Sequence, residues 1–301
     1  MIGSDNFDII FFEQYLKDKK QMKNSSVYQY TQVLAKFLKR FPDLTTTESY
    51  NNFLLDESTK KRNYHYYSVL KAFINFKIDD AILKKKLTDN LLRPRINRNI
   101  KAKRRYLTEE QIIDVINHLH DKRHRIIAII QTLTGVRVSD VMRLKIGDIL
   151  PDKYQSEPTL RLNIRGKGDK PYVAHILDPI AQDLVMNFIT ENPSKTGYYF
   201  MEYPKFMRTR KDFDEDEDAL LRDNYHWIWT DLKTALNSCG ILKQEFATHD
   251  YRRCFARRAW DKFKDVNVLK NLLNHADIST TMRYLEQSGM ANIDYLKEMQ
   301  R

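Results

Sequence analysis

The sequence predicts a mainly α-helical protein, with a helical unit at the N-terminus followed by a mixed α+β unit. Three features carry that expectation. The chain has 301 residues but only 8 glycines and 8 prolines. Apolar residues recur at helical spacing through most of its length. One region, around residues 160–177, instead alternates apolar and polar residues as a β-hairpin does.

The first predicted domain spans residues 1–90. Four stretches in it carry helical patterns: Phe7–Lys19, Ser25–Arg40, Thr46–Leu55 and Thr59–Phe76. Ser25 or Ser26 is placed to cap the second and Ser58 or Thr59 the fourth, because a short hydroxyl side chain accepts from the orphan N–H groups of a first turn. Tyr66, Leu70 and Phe73 share a face and read as core. Tyr64 and Tyr67 read as packing residues or as base contacts. Lys60, Lys61 and Arg62 open the fourth stretch and can reach phosphates.

Residues 91–107 read as a linker. They contain no acid, carry Arg93, Arg95, Arg98, Lys101, Lys103, Arg104 and Arg105, and include Pro94, which discourages continuous helix. A solvated hinge and an extended segment lying along a phosphate backbone both fit. The candidate nucleic-acid contacts are therefore Lys60, Lys61, Arg62, Arg93, Arg95, Lys103, Arg104 and Arg105.

Residues 108–301 form the second predicted domain. Thr108-Glu-Glu-Gln111 is a capping box, so a helix starts there and runs to about His118. Another follows at about Arg123–Leu133. Leu160, Leu162 and Ile164 alternate with polar residues, the tip Gly166-Lys-Gly-Asp169 follows, and Tyr172–Leu177 returns. Helices resume at about Pro179–Thr190, Leu220–Cys239, Asp250–Lys262 and Asn267–Leu273. The charged run Lys211–Asp218 has no period and reads as a loop. Beyond Gly289, Met290, Ile293, Leu296 and Met299 recur every three residues in a terminal segment. A helix this short must dock, either on its own chain or on a neighbour.

Composition narrows the function classes. Lys+Arg 51 against Asp+Glu 40 leaves a net charge of +11, which suits a polyanionic partner. Only two cysteines occur, Cys239 and Cys254, which argues against a disulfide scaffold and gives no support to a cysteine-based zinc site. The longest apolar stretch, Ile126–Leu133, is too short to span a membrane. Asp5 and Asp8 precede the first apolar run, Ile9–Phe12, so no secretory signal is expected, and the chain reads as cytoplasmic.

Five segments carry chemistry. Thr248 is the expected N-cap of a helix that opens His249-Asp-Tyr-Arg252. Counted at about 100° per residue, His249 and Arg252 fall in the same arc as Phe255, Ala256, Ala259 and Trp260. Arg253, Arg257 and Arg258 point elsewhere and read as surface charges. An inward-facing arginine calls for an anion, and a carboxylate of the protein or a bound phosphate would each meet that need.

Thr134-Gly-Val-Arg137-Val-Ser-Asp140 reads as a turn entering a helix whose buried face is Val138, Val141 and Met142. Arg137 either caps and pairs locally or faces an anion, and Asp140 is placed to support the turn or an arginine. Lys167 sits between two glycines at the hairpin tip, either solvated or able to swing in as a proton donor, with Lys170 as fallback. Asn274 is a fitting left-handed C-cap, which places His275 at the start of the next turn. Ser279 or Thr280 then starts a helix with Ile278, Met282 and Leu285 on one face and Tyr284 off it.

In this order the segments resemble the tyrosine recombinase (phage integrase) family across nearly the whole chain. The matching positions are Arg137, Lys167, His249, Arg252, His275 and Tyr284, with Tyr284 nine residues beyond His275. Asn274 stands where the family usually has glycine, Asp140 where glutamate is commoner, and Tyr251 where leucine is frequent. The resemblance implies a four-helix, SAM-like core-binding domain that clamps DNA, then an α+β catalytic domain, as in compact Xer-like members without an arm-binding domain. It implies a site-specific recombinase that cuts and rejoins double-stranded DNA through a 3′-phosphotyrosine, with no metal or cofactor. It also implies four protomers on paired sites, with the C-terminal tail on a neighbour. Tyr284 is then the nucleophile, His249 the base, Lys167 the acid, and Arg137, Arg252 and His275 the phosphate ligands. A type IB topoisomerase-like DNA-relaxing enzyme and a catalytically silent DNA-binding protein are the alternatives.

Overall fold

The computed structural model describes residues 4–22, 24–41, 43–56, 63–93, 106–166, 169–203 and 217–286, with backbone alone at 4–6, 25, 63 and 283–286. The chain divides into two compact units, residues 1–100 and 101–301.

The first unit holds α1 (Ser4–Asp18), α2 (Asn24–Arg40), α3 (Thr47–Leu55), α4 (Asn63–Lys77) and α5 (Ala81–Asp89). The sequence reading stopped at four helices and missed α5. Only Leu87 of α5 is buried, so its apolar period is faint. Its start is fixed instead by Asp80, whose carboxylate accepts from the N–H groups of Ile82 and Leu83 at 2.8 and 2.9 Å. Ser25 and Ser26 lie inside α2 and do not precede it as caps. Ser58, Thr59 and the candidate contacts Lys60, Lys61 and Arg62 lie outside the described residues.

The core of this unit is aromatic. Phe12, Phe37, Tyr50, Phe53 and Phe73 are buried, and Phe37 stacks on Tyr50 at 4.9 Å and meets Phe53 edge-on at 5.4 Å. Tyr66, Leu70 and Phe73 are buried as their spacing requires. Tyr64 is exposed, with its ring stacked on Tyr67 at 6.3 Å. Asn51 of α3 donates to the Asn90 carbonyl and accepts from Leu92 N, which pins the chain as it leaves α5. Arg93 is exposed just beyond, whereas Arg95, Lys103, Arg104 and Arg105 lie outside the described residues.

The second unit begins with α6 (Glu109–Asn117), α7 (Lys122–Thr134) and α8 (Val138–Met142). Both bonds of the Thr108–Gln111 capping box are present. Strands β1 (Ile149–Tyr154), β2 (Glu157–Arg165) and β3 (Pro171–Ile176) form one antiparallel sheet in the order β1-β2-β3. The expected hairpin is β2–β3, with Leu160 opposite Ile176 and Leu162 opposite Ala174. Strand β1 was not foreseen. It buries only Ile149 at its start and carries Pro151, so it has neither a clean alternation nor a full set of donors. The inward residues Leu160, Leu162, Ile164 and Ile176 join Ile127, Ile130, Val141 and Val185 in one core.

Five helices complete the unit: α9 (Pro179–Glu191), α10 (Glu217–Ser238), α11 (Asp250–Phe263), α12 (Val266–Leu272) and α13 (Ile278–Glu286). The end of the charged run expected as a loop is helical: Glu217 and Asp218 open α10 and pair with Arg143 at 2.6 and 3.2 Å. No helix among the described residues is long and apolar enough to cross a membrane.

Asp231 of α10 fastens the connection between α6 and α7. Its carboxylate accepts from the backbone of His120 and Asp121 at 3.0 and 3.2 Å and from the ring of His124 at 2.7 Å. Burial alone would raise its pKa, but these bonds outweigh burial and hold the carboxyl below its usual range. Replacing Asp231 by alanine leaves these donors without their acceptor. Urea unfolding should then show a loss of roughly 3 kcal/mol, and a loss below about 1 kcal/mol would mean that water replaces the carboxylate.

Candidate active site

The site is built where α7 ends, α11 begins and α12 gives way to α13. Gly135 terminates α7 in the left-handed region at φ 67°, with its N–H donated to the Gln131 carbonyl. A side chain there would also collide with Phe255, because a Cβ would lie 2.4 Å from its ring. This close approach seats the Thr134–Arg137 turn on α11.

Arg137 is the N-cap residue of α8. Its Nη1 lies 3.6 Å from the carboxylate of Asp140, which is buried on the same short helix. Val138, Val141 and Met142 form the buried face, as read from the sequence. Asp140 also accepts from the Tyr172 hydroxyl at 3.3 Å and from Ser139 at 3.2 Å. Sequence reasoning passed over Tyr172. It lies on β3 with its ring against Gly166, where a Cβ would sit 3.1 Å from the ring. Burial, reinforced by the Asp140 charge, pushes its hydroxyl well above the phenol range and keeps it a donor. Tyr172 thus joins the base of the Lys167 turn to the Arg137 helix. The signal was present as an aromatic residue within an alternating strand, but no sequence rule links it to Asp140. Lys167 itself lies outside the described residues, and Lys170 is exposed beside the tip.

Arg252 is 1% exposed. Its Nη1 donates to the Gly135 carbonyl, and its Nη2 donates to the Leu273 carbonyl at 2.6 Å and to His275 Nε2 at 3.0 Å. One guanidinium therefore ties together the turns on either side of it. His275 is buried, and its Nδ1 meets the Thr281 hydroxyl at 2.9 Å. Because Nε2 accepts from arginine, the neutral ring carries its proton on Nδ1 and donates it to Thr281. Asn274 is left-handed at φ 46°, as expected from its place before His275.

Three expectations are corrected here. His249, not Thr248, occupies the N-cap position of α11, and the Thr248 hydroxyl pairs with Tyr225 at 3.0 Å. Arg253 is no surface charge: it is buried, with Nη1 2.7 Å from Asp250 and its guanidinium over the Tyr106 ring at 5.1 Å. Asp250 stands one turn back on the same helix, where helical spacing could have offered it, but the Tyr106 ring lies far away in sequence and no helical wheel reveals it. Ahead of α13, Asp277 rather than Ser279 or Thr280 supplies the capping oxygen, accepting from Ser279 N at 2.9 Å. Of residues 278–282 Thr281 is buried, while Ile278 and Met282 are exposed; the side chain of Leu285 lies outside the described residues. Tyr284 is in α13.

His249 is exposed at the mouth of this cluster, whereas His275 is buried. Desolvation, nearly complete for His275 and partial for the exposed His249, and the nearby Arg252 charge push both imidazoles down to about 4. Both are therefore neutral at pH 7, and His275 bonds Arg252 on one side and Thr281 on the other.

Residues 105–289 match the model of the phage integrase family. The chain is 26% identical over 300 residues to tyrosine recombinase XerD of Rickettsia bellii, an alignment covering 91% of this chain and 92% of that protein. Among solved structures, XerH recombinase in a post-cleavage complex with palindromic difH substrate aligns over 97% of this chain and 83% of its own, with a TM-score of 0.62 and 17% identity. A lambda integrase tetramer bound to a Holliday junction aligns over 92% and 80%, with a TM-score of 0.60 and 17% identity.

The depressed imidazole values have a consequence for stability. The unfolded chain binds protons near the ordinary value of 6.5, while the folded chain does so only near 4. The stability contributed by the two neutral rings is thus full above pH 6.5 and is lost as pH falls toward 4. Proton NMR of the DNA-free chain should show two of its 8 histidines titrating near pH 4. All of them titrating near 6.5 would mean that both rings are solvated and screened from Arg252.

Proposed function

The chain belongs to the phage integrase family, and we propose that it is a site-specific DNA recombinase that cuts and rejoins double-stranded DNA through a 3′-phosphotyrosine. The observation that carries this reading is the buried junction of Arg252, His275 and the Gly135 turn, with Arg137 and His249 beside it. Buried cationic N–H groups held by carbonyls are pre-organised to receive a phosphate on which negative charge grows.

In the proposed reaction Tyr284 attacks the scissile phosphorus in line. A phenol with pKa near 10 is a weak nucleophile at neutral pH, so His249 takes its proton. Arg137 and Arg252 bind the non-bridging oxygens. For His275 to bond an oxygen directly, its Nε2 must exchange Arg252 for the phosphate and carry the proton instead; otherwise it acts by orienting Arg252. Lys167 protonates the departing 5′-oxygen. The phosphotyrosine conserves the energy of the broken bond, so rejoining is the same chemistry reversed.

The first unit, the linker and their basic residues serve as the DNA clamp in this reading, consistent with the net charge of +11. Four protomers on two duplexes perform strand exchange; the similar lambda integrase binds a Holliday junction as a tetramer. The segment Met290–Arg301 lies outside the described residues. A groove lined by Leu133, Val173, Leu177, Phe255, Phe263 and Leu272 offers such a tail an apolar seat, on this chain or a neighbouring one. We place the protein in the cytoplasm, where its DNA substrate lies.

Tyr284→Phe should abolish the covalent protein–DNA adduct on denaturing gels while changing DNA affinity less than about threefold, since one hydroxyl among many contacts is removed. Adduct formed by this variant would move the nucleophile elsewhere. Adduct without recombinant junctions in the wild type would favour a DNA-relaxing enzyme. Lys167→Ala should slow cleavage by about 10²–10⁴-fold. A substrate with sulfur at the 5′-bridging position should recover most of that loss, because a thiolate leaves without protonation. No recovery would remove Lys167 from the role of acid.

A further inference from the structure

A second cluster of reactive side chains lies at the ends of α6 and α10, apart from every residue used above. Asp114 and His118 stand four residues apart, one at the last turn of α6 and the other at its C-cap. Cys239 follows the last residue of α10. His118 Nδ1 lies 3.2 Å from the Asp114 carboxylate, 3.5 Å from Cys239 Sγ and 2.9 Å from the Asp114 carbonyl. Nδ1 of a neutral imidazole carries either one proton or one lone pair, so it cannot serve two oxygen acceptors and a thiol at once. A cation placed among them can.

The spacings suit a particular cation. Zinc holds nitrogen and oxygen at about 2.0–2.1 Å and thiolate sulfur at about 2.3 Å in a tetrahedron. Those bond lengths set ligand atoms about 3.3 Å apart for N···O and about 3.5 Å apart for N···S. The observed 3.2 and 3.5 Å fall on those edges before any side chain moves. The three ligand atoms lie within 4.8 Å of one another, and Asp114 and His118 are exposed, so an ion has a path in. A carboxylate, an imidazole and a thiol together select a borderline-soft ion over magnesium or calcium.

We propose that Asp114, His118 and Cys239 form a binding site for a zinc-like divalent cation, with water as the fourth ligand. On binding, Cys239 gives its thiol proton to solvent and coordinates as thiolate. His118 gives up its bond to the Asp114 carbonyl and coordinates through Nδ1, with its proton on Nε2. One proton is released per ion. The ion cross-links the end of α6, the first helix after the linker, to the end of α10. No step of the recombination chemistry passes through it. The two ligands on α6 and the single cysteine 121 residues after His118 match no compact zinc spacing, so the sequence alone gave no sign of the site.

Cobalt(II) titration of the whole reduced chain, free of any affinity tag, tests the assignment. One ion should bind per chain, with a thiolate-to-cobalt charge-transfer band in the near ultraviolet that zinc abolishes by displacement. Zinc at one hundred times its Kd should raise Tm by about 5 °C. Cys239→Ser and His118→Ala should each remove the band and weaken zinc binding more than about 100-fold, while Cys254→Ser leaves both unchanged. Asp114→Asn, a near-isosteric exposed change, should weaken binding without lowering the Tm of the metal-free chain, so the test stays readable if Cys239→Ser folds poorly. No binding, or binding that survives Cys239→Ser and His118→Ala, would overturn the site.

Discussion

A guanidinium that is 1% exposed has left water and must be satisfied by the protein around it. For Arg252 much of that is done by the carbonyls of Gly135 and Leu273 and the imidazole of His275. Carbonyl and imidazole lone pairs stabilise a cation without cancelling its charge. The two carbonyls belong to turns that end α7 and α12, so the same bonds fix where Arg137 and His275 stand. The candidate site depends on this one burial.

The surrounding structure makes that burial possible. The left-handed Gly135 lets its turn lie against Phe255 of α11, which no residue with a Cβ would allow without displacing the ring. Asn274, also left-handed, turns the chain so that His275 comes back toward Arg252. Thr281 then holds the far side of His275 from within α13, the helix that carries Tyr284. The order of His275, Thr281 and Tyr284 along one short segment therefore links the geometry of the proposed phosphate ligands to the backbone of the proposed nucleophile. On the other side, Tyr172 and Asp140 connect Arg137 to the strand that leads from the Lys167 turn.

The parts that were legible in the sequence are those determined locally. Thr108 and Gln111 announce α6 through a reciprocal cap, and Leu160, Leu162 and Ile164 announce β2 by strict alternation. Counting alone placed His249 and Arg252 in an apolar arc; Arg252 is buried, whereas His249 is exposed. Elements held by distant partners were not legible. Strand β1 exists because β2 offers it an edge, not because Ile149–Tyr154 alternates. Arg253 is buried because Asp250 and Tyr106 receive it. Ile278 and Met282 look like core at helical spacing, yet Thr281 is the residue that turns inward, since His275 offers it a hydrogen bond. In each case at least one deciding group lies outside the element itself, where a periodic pattern carries no information.

The dependence of the site on one side chain can be measured without DNA. Hydrogen–deuterium exchange of an Arg252→Met chain would compare the amides around Val136–Arg137 and Asn274–His275 with those of α1–α5. Removal of the guanidinium should lower protection at both turns together, by more than about tenfold, and leave the first unit unchanged. Full protection at either turn would contradict a site held together by Arg252.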